Sequence, residues 1–109
     1  MKVKMIVYKT TNLINGKIYI GYDTQNNPEY YGSGILYRQA EKKYGRENFR
    51  KNIIDSDEDL LSLCLKEIFW IDFYDARNRS VGYNIAKGGE GGDTLSMHPN
   101  INEIKQKIS

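Results

Sequence analysis

A single carboxylate interrupts an apolar stripe in the second half of the chain. At helical spacing the stripe comprises Leu60, Cys64, Glu67, Ile71 and Tyr74. Burying an ionised carboxylate costs free energy unless it is paired, hydrogen-bonded or bound to a metal. Glu67 therefore meets an Arg or Lys across the core, lies on a helix rotated toward solvent, or serves as a divalent-metal ligand at the bottom of a cleft. One carboxylate completed by water is a normal way to hold Mg²⁺ on a phosphate substrate.

Two tyrosines, Tyr8 and Tyr19, lie on neighbouring predicted strands. They would form a stabilising cross-strand aromatic pair, or one phenol would act as an acid or base near a scissile phosphate. An unperturbed phenol has a pKa of ~10, so a base at neutral pH would need a metal or nearby cations to lower that pKa. The residues alone leave both alternatives open.

Six of the sixteen lysine and arginine residues cluster in one segment. Residues 35–51 contain six positive side chains against two acids, for a local charge of +4, whereas residues 52–79 carry −4. A basic segment either forms a solvated helix face or neutralises nucleic-acid phosphates with salt-dependent, sequence-blind affinity. Tyr37 and Tyr44, interleaved with the charges, favour nucleic-acid binding. The candidate DNA-binding residues are Lys42, Lys43, Arg46 and Arg50.

The length and composition of the chain exclude several classes of site. With 109 residues, of which 39% are hydrophobic, the chain predicts one soluble globular domain. One cysteine and one histidine exclude a disulfide, a Cys/His zinc site and a triad built on a second histidine. No apolar run approaches the ~20 residues of a membrane span, and the N-terminus lacks the apolar core of a signal peptide. These features predict a cytoplasmic protein without a membrane partner.

The first half of the chain predicts a β-hairpin followed by a loop. Segments 3–9 and 17–22 are rich in β-branched and aromatic residues, which is typical of strands. The dipeptide Asn15-Gly16 between them is favoured in turns that need positive φ. Asn, Pro and Gly residues mark 23–34 as a loop. The hairpin would bring the two tyrosines into one sheet.

A basic helix, a third strand and a longer helix follow. The basic helix is predicted over 35–44 with Gly45 as its C-terminal stop, and the strand over 48–55. Ser56, followed three residues later by an acid, is typical of a helix start, and that helix should run from about 57 to 75. The positions of the basic helix expected to face the core are Ile35, Leu36 and Ala40.

The chain changes character after the segment GYNIA, residues 82–86. Asn84 within this segment is, by itself, typical of a turn or a cap. The Gly-rich stretch KGGEGGD that follows lacks the Gly-Lys-Ser/Thr ending of a phosphate-binding P-loop. We therefore expect the compact domain to cover residues 1–90 and a linker-like tail to cover residues 91–109.

Four motifs, taken in order, indicate a family. They are IVY at 6–8, NGKIYIG at 15–21, a helix with Glu67 before FWI, and GYNIA at 82–86. In this order and spacing the chain resembles the GIY-YIG nuclease family, and within it the catalytic domain of phage intron-encoded homing endonucleases, from residue 5 to about residue 100. The resemblance implies an α/β (α+β) fold with a small, mainly antiparallel three-stranded sheet flanked by helices.

The resemblance also implies an activity. The implied activity is that of a metal-dependent DNA endonuclease, which hydrolyses a phosphodiester bond with Mg²⁺ or Mn²⁺. If the protein is phage-encoded, this activity is expected in the host-cell cytoplasm. The implied partners are double-stranded DNA and a C-terminal DNA-recognition region or partner protein beyond this chain. In the simplest mechanism Glu67 holds the metal ion and Tyr8, as a tyrosinate, takes a proton from the attacking water. The residues that the resemblance carries over are Tyr8, Tyr19, Glu67 and Asn84, with Lys17 expected to lower the pKa of a phenol.

Two positions depart from the family pattern. Ile6 stands where the first motif usually has glycine. The arginine that the family places soon after YIG is absent from the loop 23–34. Arg38 is the nearest catalytic candidate to take its role, and Arg46 and Lys42 are weaker candidates. The alternative function is therefore a non-catalytic nucleic-acid-binding module with a degenerate site.

Overall fold

A three-stranded antiparallel sheet forms the centre of the computed structural model, which describes residues 4–88. Strands β1 (Met5–Asn12), β2 (Ile18–Asp23) and β3 (Phe49–Asp57) lie in the order β2-β1-β3. The predicted hairpin is confirmed, because β1 and β2 pair antiparallel and Gly16 in the connecting turn has φ +79°.

The first helix, α1 (Ile35–Tyr44), has the predicted bounds and ends at Gly45, whose φ is +90°. Glycine adopts a positive φ without the steric cost of a Cβ. Ala40 is buried as predicted, but the rest of the buried face differs from the prediction, since Tyr37 is buried while Ile35 is 63% exposed. The Tyr37 ring packs edge-on against Phe49 with the centroids 5.3 Å apart. Tyr37 is therefore a core residue and does not belong to a nucleic-acid-binding face.

The second helix, α2 (Leu60–Phe73), begins later than predicted. Strand β3 continues through Ser56 to Asp57, because both residues pair with the start of β1. The predicted cap at Ser56 is therefore wrong. The cap is Asp59, whose carboxylate accepts a hydrogen bond from the Ser62 N–H at 2.9 Å. Main-chain pairing with β1 prevailed over the local signal for a helix start.

Two apolar clusters hold the helices to the sheet. The larger cluster joins α2 to β1 and β2 and consists of Val7, Ile18, Ile20, Leu63, Ile71 and Ala76. The smaller joins α1 to the start of β3 through Tyr37, Ala40 and Phe49, and Tyr19 packs against it. Because neighbouring residues of a strand point to opposite faces, Tyr19 and Ile20 of β2 belong to different clusters. Strand β2 therefore contributes to both sides of the sheet.

After α2 the chain returns alongside β2, which is an outer strand of the sheet. Gly82 forms a parallel bridge with Ile18, and the Tyr83 N–H donates to the Ile18 carbonyl at 2.8 Å. A Cβ at position 82 would lie 2.6 Å from the Ala76 carbonyl oxygen and 2.7 Å from that of Ile18. Glycine is therefore needed for this close approach, which aligns the GYN motif with β2.

The predicted α/β (α+β) fold class is confirmed, with one three-stranded antiparallel sheet and two helices. The predicted linker-like tail, residues 91–109, lies outside the described residues. Within residues 4–88 no helix is both long and apolar enough to span a membrane.

Candidate active site

A cleft of about 640 Å³ opens beside β2, where the sheet, α2, the loop 24–34 and the returning segment meet. Four of the predicted site residues line it together, namely Tyr8, Tyr19, Glu67 and Asn84. They come from β1, β2, α2 and the returning segment, respectively. Residues that are far apart in the sequence thus meet in one cavity open to solvent.

The glycine of the second motif makes room for the tyrosine of the first. Gly21 lies directly opposite Tyr8 in the β1–β2 ladder. A Cβ at position 21 would lie 2.5 Å from the Tyr8 hydroxyl oxygen and 2.7 Å from its Cζ. The Tyr8 side chain therefore reaches the cleft because residue 21 has no side chain. Ile6, which stands where the family has glycine, pairs regularly with Asp23 and leaves the ladder intact.

Tyr19 packs against the end of the loop that precedes α1. Cβ atoms at Gly32 and Gly34 would lie within 2.9 and 2.6 Å of its ring, so both glycines allow the loop to approach. Hydrogen bonding to the main chain of Gly34 and to the Ser33 side chain acts to lower the pKa of the Tyr19 hydroxyl. The rings of Tyr8 and Tyr19 lie 6.4 Å apart and are tilted by 45°. The two tyrosines are thus an aromatic pair and line the cleft as well.

Both phenols are protonated at neutral pH. Burial raises the pKa of Tyr8 far above its usual value, and the neighbouring Tyr19, Tyr30 and Glu67 raise it further. Burial and then the Glu67 carboxylate raise the pKa of Tyr19 to about 12, against the effect of its hydrogen bonds. The protein's own residues therefore favour the phenol form, which is the opposite of the lowering that a tyrosinate base requires.

Lys17 is not placed in the cleft with the phenols whose pKa it was predicted to lower. It is not among the residues that line the cleft. Its main chain belongs to the hairpin turn, where its N–H donates to the Asn15 side chain at 2.9 Å. The principal groups that shift the pKa of Tyr8 and Tyr19 include no lysine.

Glu67 is 8% exposed on the inner side of α2 and lines the cleft. The alternative of a helix rotated toward solvent is therefore wrong. Within residues 4–88 no group of three or more His, Cys, Asp or Glu residues is placed to hold a metal ion. A carboxylate in a solvent-open cleft lined by hydroxyl groups nevertheless fits Mg²⁺, which commonly takes one or two carboxylates and completes its shell with water and phosphate oxygens.

Asn84 uses its side-chain amide to fix the returning segment to β2. Its Oδ1 accepts a hydrogen bond from the Ile20 N–H and its Nδ2 donates to the Ile20 carbonyl, both at 2.8 Å. An outer strand presents main-chain groups without a sheet partner, and Asn84 satisfies two of them. It is therefore a cross-strand link that shapes the cleft wall, not the turn or cap that its sequence context indicated.

Arg38 lies on the exposed side of α1 and does not line the cleft. With Gln39 and Lys42 it borders a shallow surface depression that shares Ser33 and Ile35 with the cleft. Among residues 4–88 no lysine or arginine lines the cleft itself. Arg38 and Lys42 are thus rim residues, adjacent to the site but outside it.

The other candidate DNA-binding residues differ in whether their side chains make contacts within the fold. Lys43 and Arg50 are exposed. The Arg46 guanidinium is used within the fold, because it donates to the Glu29 carbonyl and lies 4.1 Å over the Tyr31 ring. Contact of Arg46 with DNA would therefore compete with contacts that hold the loop.

Three residues in or beside the cleft were not predicted from the sequence. Tyr30 lines the cleft, and its ring meets Tyr8 edge-on with the centroids 5.9 Å apart. Asp23 is a buried lining residue, and Lys51 Nζ lies 4.8 Å from the centroid of the Tyr8 ring. Strand alternation from Phe49 would have placed Lys51 on the inner face of β3. No spacing signal identifies the other two.

The chain has known relatives, although no family model matches it. Endonuclease segA of Enterobacteria phage T4 is 40% identical over 106 residues, which cover 94% of this chain and 46% of segA. The segB protein of the same phage is 42% identical over 103 residues, covering 90% and 45%. The catalytic domain of intron endonuclease I-TevI superposes with a TM-score of 0.62 at 22% identity, covering 78% of this chain and 96% of that domain.

By its fold the chain is a domain of the same architecture as the I-TevI catalytic domain, and the fold that the resemblance implied is confirmed. In sequence it is a homologue of the seg endonucleases of phage T4. The chain spans about half the length of these curated relatives.

Proposed function

We propose that this domain is a DNA endonuclease of the homing type, which hydrolyses a phosphodiester bond with Mg²⁺ or Mn²⁺. The observation that carries the proposal is the meeting of Glu67, Tyr8 and Tyr19 in one open cleft, in a homologue of a named endonuclease. A domain that only binds nucleic acid gains nothing from a carboxylate that lines its cleft and faces phosphate.

Each residue of the cleft has a distinct task in this proposal. Glu67 holds the divalent ion, which neutralises phosphate charge when it is bound. The protonated hydroxyls of Tyr8 and Tyr19 donate hydrogen bonds to phosphate oxygens, where negative charge develops. As a neutral phenol Tyr8 cannot take a proton from water. It would act as a base only after losing its own proton to solvent, which requires positive charge in the cleft to offset the burial and the Glu67 carboxylate that raise its pKa.

The exposed basic residues of α1 bind the DNA backbone beside the cleft in this proposal. Arg38 and Lys42 border the depression that adjoins the cleft, and Lys43 is exposed on the same helix. Each phosphate contact releases counterions, so affinity falls with salt and depends little on sequence. Sequence specificity then comes from a DNA-recognition region or a partner protein outside this domain, and cleavage takes place in the cytoplasm of a phage-infected host.

The test is nicking of supercoiled plasmid by the native chain and by Glu67→Gln. Glu58→Gln is the matched control, because Glu58 is exposed and does not line the cleft. We expect Glu67→Gln to cleave at least ~100-fold more slowly with DNA affinity retained, and EDTA to stop cleavage by the native chain. Full activity of Glu67→Gln, or activity in EDTA, would exclude the proposed role of the carboxylate.

A second candidate function is a non-catalytic nucleic-acid-binding module. The observation that favours it is the lack of any lysine or arginine, within residues 4–88, among the residues that line the cleft. An arginine on a transferring phosphoryl group contributes several powers of ten to the rate. DNA binding by the native chain without cleavage in Mg²⁺ or Mn²⁺ would favour this second function.

A further inference from the structure

The loop 24–34 forms one wall of the cleft although it contains neither helix nor strand. It carries Tyr30, whose ring meets that of Tyr8 edge-on with the centroids 5.9 Å apart. A loop without regular structure keeps a side chain in place when its main chain is bonded to a rigid element. Two such hydrogen bonds hold the main chain of Asn27: its N–H donates to Asp23 Oδ2, and its carbonyl accepts from Lys51 Nζ.

Lys51 lies on β3, and its side chain reaches the loop 24–34 and the Tyr8 ring. Its Nζ donates to the Asn27 carbonyl at 2.8 Å, lies 3.9 Å from Asp23 Oδ2 and stands 4.8 Å from the centroid of the Tyr8 ring. Its side chain is 8% exposed. Although Lys51 belongs to the basic segment 35–51, its ammonium is therefore engaged with the loop and a cleft tyrosine, and it is not presented to DNA.

Asp23, the last residue of β2, completes this contact. Its Oδ1 accepts a hydrogen bond from the Gln25 N–H at 2.9 Å, and its Oδ2 accepts one from the Asn27 N–H at 2.7 Å. The carboxylate thus holds the first turn of the loop, while Lys51 holds the Asn27 carbonyl and balances the carboxylate charge. Burial lowers the pKa of Lys51, and the Asp23 charge acts against that change.

We propose that Lys51 is a positioning residue for DNA cleavage, because it fixes the loop 24–34 and the Tyr8 ring relative to each other. The proposal rests on the proposed nuclease function. One ammonium contacts both parts, so its removal releases both at once and leaves the Asp23 carboxylate buried without its cation. Partners that orient the groups of an active site typically change its activity by about 10–100-fold when they are removed.

The test compares Lys51→Met, Lys51→Arg and the control Lys66→Met. Methionine keeps most of the aliphatic stem without the charge, and arginine restores a cation. Lys66 is a matched control, since it donates to the Ser56 carbonyl at 2.7 Å and lies 3.1 Å from Asp57, and both of these partners belong to β3 and not to the loop 24–34. Three quantities are measured in each protein: the single-turnover nicking rate at saturating DNA with Mg²⁺, the DNA dissociation constant, and amide hydrogen exchange.

We expect Lys51→Met to nick DNA about 10–100-fold more slowly with a dissociation constant within about twofold of the native value. The amides of Gln25 and Asn27 should exchange faster in this variant, since their acceptor Asp23 has lost its cation. Lys51→Arg should recover most of the rate. Lys66→Met should change neither the rate nor the exchange of these two amides.

Native nicking and native exchange in Lys51→Met would overturn the proposal, and so would an equal loss in Lys66→Met. A loss confined to the dissociation constant would make Lys51 a DNA contact instead. If the native chain does not cleave DNA, the proposed function fails, and the exchange of Gln25 and Asn27 alone decides whether Lys51 holds the loop. If Lys51→Met does not fold, Asp23→Asn removes the partner charge and is measured in the same way.

Discussion

Replacing Gly21 by alanine tests whether the motif glycine is there to admit Tyr8. The new methyl carbon would lie 2.5 Å from the Tyr8 hydroxyl oxygen, 2.7 Å from its Cζ and 3.1 Å from Cε2 of Tyr19. Non-bonded carbon contacts are normally about 3.5–4 Å, so the Tyr8 ring has to move by about 1 Å. Overpacking of this kind costs about 1–3 kcal/mol of stability, and a shift of that size at a reacting group costs about 100-fold in rate.

Urea denaturation and single-turnover nicking measure the two effects of Gly21→Ala separately. The same substitution is then made in a Tyr8→Leu background, where the hydroxyl and Cζ that the methyl group would meet are gone. The stability penalty of alanine should be smaller there by about 1 kcal/mol or more, which is the coupling expected of residues in direct contact. Tyr8→Leu by itself supplies the reference for both assays.

Two results would refute this reasoning. One is a Gly21→Ala protein with native stability and a native nicking rate, since the methyl group would then have been accommodated without moving Tyr8. The other is an equal stability penalty in the native and Tyr8→Leu backgrounds. An equal penalty would place the effect in the backbone of β2 and not in the contact between the two motif residues.

Three further predictions concern the cleft wall, alkaline pH and the rim. Asn84→Ala should lower the free energy of unfolding in urea by about 2 kcal/mol, because it leaves the Ile20 N–H and carbonyl without their partner; an unchanged midpoint would contradict this. The pKa of Tyr19 is raised to about 12. The contribution of the Tyr19 phenol to the free energy of unfolding is therefore complete below about pH 10 and falls as the pH rises toward 12, by up to about 1.4 kcal/mol per pH unit. Tyr19→Phe should therefore lose less stability than the native chain over that range, and equal losses would argue against the shift. Arg38→Ala and Lys42→Ala should each weaken DNA binding and reduce the slope of log affinity against log salt by about 1, whereas an unchanged slope would remove that residue from the interface.

Local patterns predicted the hairpin, α1 and the types of the site residues. The Asn15-Gly16 turn and the stop at Gly45 depend on positive φ, which is a property of the residues at those positions. The apolar stripe singled out Glu67 and left its burial open, and the structure shows that α2 buries it. These features could be predicted because they depend on neighbours within one or two turns of the chain.

Predictions failed where a distant segment decided the outcome. Ser56 carries a helix-start signal, yet pairing with β1 keeps it in β3. Tyr37 lies among charged residues, yet packing against Phe49 turns it into the core. Lys17 and Arg38, chosen for their positions in the sequence, do not line the cleft, and their roles in cleavage stay predictions.

The sequence by itself determined which elements form and which side chains are available for chemistry, because propensity, turn conformation and hydrophobic period act locally. Only the tertiary structure decided which of those side chains meet. Tyr8 reaches the cleft because Gly21 lies opposite it in the ladder, and Lys51 lies beneath Tyr8 because β3 pairs with β1. Both contacts join residues that the sequence separates widely, so only the registers of the sheet could specify them.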